Sequence, residues 1–364
     1  MPRCANCKEY KTRRLSPLER KLMDREIIRI DNSEITARVF GVGDAYAREI
    51  EAAFSVDIRN RSEQSGDAIV VTGEDSEAVR LAARVIERLR DEAKRTEEIS
   101  EQRVSYIIGM VKDGEGSSLE TLDGSTVCLT SRGKPIKAKT VGQQKYVDAI
   151  AKNTIVLGVG PAGTGKTFLA VAMAVKALRA GDVNRIVLTR PAIEAGEKLG
   201  FLPGDLQSKI DPYLRPLYDA LYEMLGAENY AKMAEKGVIE VAPLAYMRGR
   251  TLDDSFIILD EAQNATPEQM KMFLTRLGFR SKAVVTGDLT QTDLPSGQKS
   301  GLAMAVKIIA GIPDIVIHHF SDRDVVRHKL VQKIILAYER FEREQQQKPQ
   351  GARTVRRGGE RTSK

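Results

Sequence analysis

Residues 160–167 read Gly160-Pro161-Ala162-Gly163-Thr164-Gly165-Lys166-Thr167, directly after the apolar run at 155–158 and directly before a helical pattern at 168–178. No other stretch restricts the fold so tightly. A turn of this composition between a buried strand and a helix belongs to an α/β sheet, with its ligand at the strand end. In that context the backbone N–H groups of residues 162–167 wrap phosphate oxygens, and the helix N-terminus adds positive potential. Lys166 reaches the β- and γ-phosphates and Thr167 holds magnesium. The ligands implied are ATP and Mg2+.

Two further apolar runs end in polar side chains. Residues 256–259 lead into Asp260-Glu261, where Asp260 would fix the metal and Glu261 would orient and deprotonate an attacking water. The plain alternative is a strand followed by acidic helix caps, but a carboxylate pair downstream of a phosphate loop favours hydrolysis. A small-molecule kinase has no use for Glu261 as a water base. Residues 284–291 read Val-Val-Thr-Gly-Asp-Leu-Thr-Gln, and Asp288 and Gln291 are placed to sense the γ-phosphate from the neighbouring strand end.

Apolar runs at 155–158, 186–189, 238–241, 256–259, 283–286 and 315–317 alternate with helical patterns. Such a series predicts a parallel sheet covered on both faces, an α/β architecture with a single RecA-like P-loop core over residues 140–340. Before it, residues 26–100 mix short apolar runs with helices, including one at 76–93, and read as a small α+β domain. Residues 101–139, rich in Gly, Ser, Asp and Lys from 111 onward, read as a linker. Residues 1–25 form a basic segment, and residues 341–364 a basic tail expected to be disordered.

The formal net charge of +7 is concentrated in these two ends, which leaves the chain between them slightly acidic. The ends could hold RNA or DNA by phosphate contacts that weaken with salt, or be solvated tails. Three cysteines exclude a disulfide framework, and the Cys4-x-x-Cys7 pair lacks the second ligand pair of a zinc site. The chain has no run of eighteen apolar residues, and its first thirty residues carry charge where a signal peptide is apolar, so it is expected in the cytoplasm without a membrane partner.

Two resemblances add to this reading. The stretch Phe40-Gly41-Val42-Gly43-Asp44, with the helix, strands and last helix that follow, resembles a KH RNA-binding module. Asp44 departs from the final glycine of that module's loop, and a carboxylate there repels phosphate. Asp260-Glu261-Ala262-Gln263 and Gly287-Asp288-x-x-Gln291 resemble motifs II and III of superfamily 1 helicases, whose adenine-reading glutamine corresponds to Gln143.

The closer match, across residues 140–340, is to the PhoH-like family of bacterial ATPases. It is carried by residues 189–204, by Tyr246-Met247-Arg248-Gly249-Arg250-Thr251 and by Asp324-Val325-Val326-Arg327-His328. That resemblance implies a helicase-type ATPase acting on RNA, expected to be single-stranded, with an rRNA-processing endonuclease as partner and a hexameric ring as the assembly.

Helicases of superfamily 1 place ATP between two cores, the second donating arginines. A single core needs that arginine from a neighbouring copy, an addition worth about 10³–10⁵ in rate. Arg327, and after it Arg250 and Arg248, are the candidates for that finger. Arg190 corresponds to the motif Ia residue that meets the nucleic-acid backbone, and Arg248 and Arg250 are further RNA candidates. Tyr213, Tyr218, Tyr222 and Tyr246 fit core packing on helix faces, with base stacking as the alternative. An ATP-switched RNA-binding adaptor for a ribonuclease and a small-molecule kinase are the competing functions.

Overall fold

The computed structural model describes residues 24–63, 66–96, 98–122, 125–191, 206–295 and 297–327, with isolated positions from 330 to 341. One compact unit extends to Val326 and a second comprises Arg327–Lys364. In the second, the described positions from 330 to 341 are helical and Leu330, Ile334 and Tyr338 are exposed. The first twenty-three residues, with Cys4 and Cys7, the 192–204 part of the arginine-proline motif, His328 and the tail beyond 341 lie outside the described residues.

The chain begins with β1 (Asp24–Ile30), α1 (Ser33–Phe40), α2 (Ala45–Phe54), β2 (Asp57–Glu63), β3 (Gly66–Gly73) and α3 (Ser76–Ala93). The strands form an antiparallel sheet in the order β1-β3-β2. Asn32 and Asp75 start α1 and α3 by accepting from Ile35 N and Glu77 N, each at 2.9 Å. Val79, Ala82, Ile86, Leu89 and Ala93 recur at helical spacing along α3 and bury against Ile28, Ile30, Ile69 and Val71.

The stretch expected as a linker is ordered and carries core residues, which corrects that expectation. It holds α4 (Glu101–Lys112), a helical turn at Gly116–Thr121 and the hairpin β4 (Thr126–Leu129) and β5 (Pro135–Lys137). Val104, Ile107, Ile108 and Val111 of α4 join the core of α3, whereas Val127, Cys128 and Ile136 join the core of the larger sheet. The helical spacing at 104, 107, 108 and 111 is present in the sequence, but the Gly- and Ser-rich stretch that follows masks it.

The larger sheet is built from β6 (Ile155–Val159), β7 (Arg185–Arg190), β8 (Ile239–Pro243), β9 (Ser255–Leu259), β10 (Lys282–Gly287) and β11 (Ile315–His319). Around and between the strands run α5 (Val141–Lys152), α6 (Lys166–Ala180), α7 (Leu206–Leu225), α8 (Ala227–Glu235), α9 (Pro267–Leu274) and α10 (Gly301–Ile308). The strand order is β11-β6-β10-β9-β7-β8 and every pairing is parallel. This is the parallel α/β architecture expected.

Alternation along the strands divides the apolar residues between two cores. Val156, Ile186, Leu188, Ile258 and Val284 meet α5, α6 and α7, while Leu157, Val187, Ile257, Leu259 and Val285 meet α9 and α10. Each such side chain contributes about 1.5–3 kcal/mol by leaving water. With both faces covered, the carboxyl ends of the strands are where polar side chains can gather.

Tyr218, Tyr222 and Tyr230 form a ring cluster on α7 and α8, with centroids 5.0–6.3 Å apart. Tyr218 and Tyr230 also pack on the core, Tyr222 and Tyr246 are exposed, and the Tyr213 side chain lies outside the described residues. Among the described residues, no helix is long and apolar enough to cross a membrane.

Candidate active site

The chain leaves β6 into the glycine-rich loop and re-enters helix at Lys166. Gly160 adopts φ 152°, and a Cβ there would lie 2.7 Å from the Phe320 carbonyl oxygen, so no other residue fits this approach. Its N–H donates to Gly287 O at 3.1 Å, which ties the loop to the end of β10. Gly163 and Gly165 complete the curl in left-handed conformations. Lys166 is buried, and its ammonium donates to Gly160 O and Pro161 O at 2.7 Å each, inside the loop's own ring. A cation gathered among neutral carbonyls at the head of a helix fits an anionic ligand.

The loop is braced from outside by residues far along the chain. Phe320 N donates to Val159 O at 2.8 Å and Val326 N to Gly163 O at 2.9 Å. Between them, buried Asp324 accepts from Thr140 Oγ1 at 2.6 Å and from Ser321 N at 3.0 Å. Thr140 caps α5 by accepting from Gln143 N at 3.1 Å. Gln143 is itself buried, with Nε2 donating to Thr164 O at 3.0 Å and Oε1 accepting from Lys139 N at 2.7 Å. The expected adenine reader is therefore a brace in this structure, because the packing of α5 commits both ends of its amide to backbone.

The two residues expected to hold metal meet in the structure. Thr167 Oγ1 donates to Asp260 Oδ1 at 2.6 Å, although Thr167 lies in α6, which follows β6, and Asp260 follows β9, with β10 between those two strands. Asp260 is buried and also accepts from Thr286 Oγ1 at 2.8 Å. A hydroxyl and a buried carboxylate already in contact suit a hard divalent cation such as Mg2+. Thr286, inside the recognised Thr-Gly-Asp run, was not singled out from the sequence.

Glu261 sits just past β9 with φ 52°, a left-handed conformation uncommon outside glycine. Its Oε2 accepts from Gln263 Nε2 at 2.5 Å, and its Oε1 lies 3.2 Å from Arg190 NH2. Arg190 Nε stands 3.9 Å from Asp260 Oδ2, so this residue at the end of β7 faces both carboxylates. Gln263 is almost wholly buried, and its Oε1 accepts from Asp288 N at 3.0 Å. It thereby joins the two acidic strand ends, a role its place in Asp260-Glu261-Ala262-Gln263 suggested only after the strands were paired.

Asp288 is buried, with Oδ1 accepting from Thr290 N at 2.9 Å and Oγ1 at 2.7 Å and Oδ2 without a hydrogen-bond partner. Gln291 is exposed in the loop that follows. Arg250 forms a two-pronged pair with Glu240, NH2 to Oε2 at 2.7 Å, and this bonding holds the Glu240 carboxyl below its ordinary value. Arg250, expected as an arginine finger or RNA contact, is thus paired within its own chain in this structure. Arg248 is exposed after the turn Leu244–Met247, and Arg327 is the first residue of the second unit.

A family model described as PhoH-like protein matches residues 135–339. A PhoH-like protein of Bacillus subtilis (strain 168) is 50% identical over 312 residues, 86% of this chain and 96% of the relative. One from Mycobacterium tuberculosis (strain H37Rv) is 54% identical over 313 residues, 85% of this chain and 86% of that one. A solved SWI2/SNF2 ATPase core from Sulfolobus solfataricus, in complex with dsDNA, is 14% identical at a TM-score of 0.34, covering 56% of this chain and 48% of that one. That last likeness is too remote to argue from. The braced phosphate loop, the Thr167–Asp260 pair and the matched relatives converge on one conclusion: this chain is a P-loop protein that belongs to the PhoH-like family.

Proposed function

We propose that this chain hydrolyses ATP and couples the turnover to single-stranded RNA, as a helicase-type ring. The observation that carries the reading is the strand-end pair itself: Asp260 bonded to Thr167 at 2.6 Å, with Glu261 the next residue. Lys166 and the loop N–H groups would bind the phosphates. Thr167 and Asp260 would hold Mg2+, which when bound neutralises charge on the transferring group. Glu261 would take a proton from water as its oxygen forms the new bond to the terminal phosphorus and the bridging P–O bond breaks.

The RNA reading draws support from the outer strand ends. Arg190 pairs in register with Pro243, and the turn that follows Pro243 carries exposed Tyr246 and Arg248. Positive charge beside an aromatic ring suits a single strand. The arginine that completes the site comes from a neighbouring copy in this reading, with Arg327 the first candidate and a hexamer the expected ring. The rRNA-processing endonuclease is the expected partner.

Phosphate release measured without an acceptor, with and without single-stranded RNA and alongside the solution mass, tests the proposal. Release that rises with RNA in a particle of ring mass is expected. No release without an acceptor would point to the kinase. Hydrolysis without strand separation, where the protein binds the duplex, would leave the ATP-switched adaptor.

A further inference from the structure

Glu261, the base of the proposed reaction, has both of its oxygens in contact with other side chains. Oε2 is taken by Gln263 at 2.5 Å and Oε1 faces Arg190 at 3.2 Å. A carboxylate oxygen held in an ion pair is turned toward its partner and not toward an attacking water. The two partners differ in kind. Gln263 is buried and anchored to Asp288 N, whereas the Arg190 and Glu261 side chains are 21% and 38% exposed. A half-exposed ion pair is worth only about 0–1 kcal/mol, and a guanidinium binds phosphate as readily as carboxylate. Arg190 is therefore the partner that can be drawn away.

We infer that Arg190 is a brake on ATP hydrolysis: it holds Glu261 off the water, and a backbone phosphate of bound RNA releases Glu261 by taking over the guanidinium. Arg190 is a positioning residue, acting on hydrolysis through Glu261. Its place supports the role, because it ends β7, next to β9 with Asp260 and on the far side of β10 from the phosphate loop. The identity of the releasing anion rests on the RNA reading above; the brake itself does not.

The test compares the full chain with Arg190→Gln and Arg190→Lys in steady-state phosphate release at varied ATP and single-stranded RNA. The brake predicts that Arg190→Gln raises the RNA-free kcat on the order of tenfold, within the range of coupled sites, with KM for ATP unchanged and little further rise on adding RNA. Arg190→Lys, which keeps the charge without the fork, is expected between the two, and decides by the same comparison if Arg190→Gln does not fold. An RNA-free kcat at or below that of the unaltered chain, in a variant that binds ATP normally, overturns the brake. If the unaltered chain ignores RNA but the variant still gains rate, the brake stands and the RNA reading falls.

Discussion

In the antiparallel sheet of β1, β2 and β3 and the helices on it, the buried residues are apolar apart from Thr36 and Asp67 among the described residues. At the carboxyl ends of the six-stranded sheet, Thr164, Lys166, Thr189, Asp260, Gln263, Thr286 and Asp288 are all buried. Taking a polar group out of water costs about 1–3 kcal/mol unless it finds a partner, and an ion costs more. The first region avoids that cost. The second accepts it and offsets it with bonds such as Thr167–Asp260, Thr286–Asp260 and Gln263–Asp288. A density of buried, mutually bonded polar groups is therefore better evidence of a site than any one motif residue.

The contrast breaks most sharply if a change in one region produces the effect expected of the other. Glu261→Gln keeps the side-chain size, so ATP binding should persist while phosphate release falls about 10²–10⁴-fold, the usual worth of a general base; retained turnover would move the base elsewhere. Ile69→Ala, in the fully buried centre of the small sheet, should instead cost about 2–5 kcal/mol of stability in denaturant titration. Turnover per folded molecule should not change.

Smaller effects sharpen the comparison within the site. Thr286→Val strips Asp260 of one of its two hydroxyl donors and should cost about 1–3 kcal/mol, visible as lower stability together with weaker dependence on added Mg2+. Gln143→Ala should raise KM for ATP by about three- to tenfold, the worth of one hydrogen bond. ATP and GTP should suffer equally if the amide braces the loop. A loss confined to adenine nucleotides would restore the base-reading role.

The smallest effect is expected where charge is paired near the surface. Arg250→Ala should cost about 1 kcal/mol or less at neutral pH. Because the Arg250 hydrogen bonds hold Glu240 below its ordinary value of 4.5, this contribution is present above that value and is lost as the pH falls through the lowered one. Denaturant midpoints of the two proteins should therefore converge in acid. A constant gap would assign the cost to lost packing of the arginine stem.

How much was legible in the sequence followed from how local each signal was. The loop at 160–167 is contiguous and requires a strand before and a helix after, so its place and the parallel sheet could be read directly. All six apolar runs became strands within a residue or two at each end. The helix at 76–93 announced itself by periodicity. The apolar positions of α4 are dense, but the Gly- and Ser-rich stretch that follows the helix gives the whole segment the composition of a linker.

What the tertiary structure alone decided are the pairings made across long stretches of chain. Thr167 meets Asp260 across 93 positions, Thr140 meets Asp324 across 184, and Gln143 is spent on the backbone of Thr164. No local pattern encodes these, because a side chain's partner is set by which strands pair and in what register. The same reason hid the contact of Arg190 with Glu261 at 3.2 Å. By itself the sequence determined that a phosphate loop and a carboxylate pair would share one sheet; the strand order set which arginine stands against Glu261.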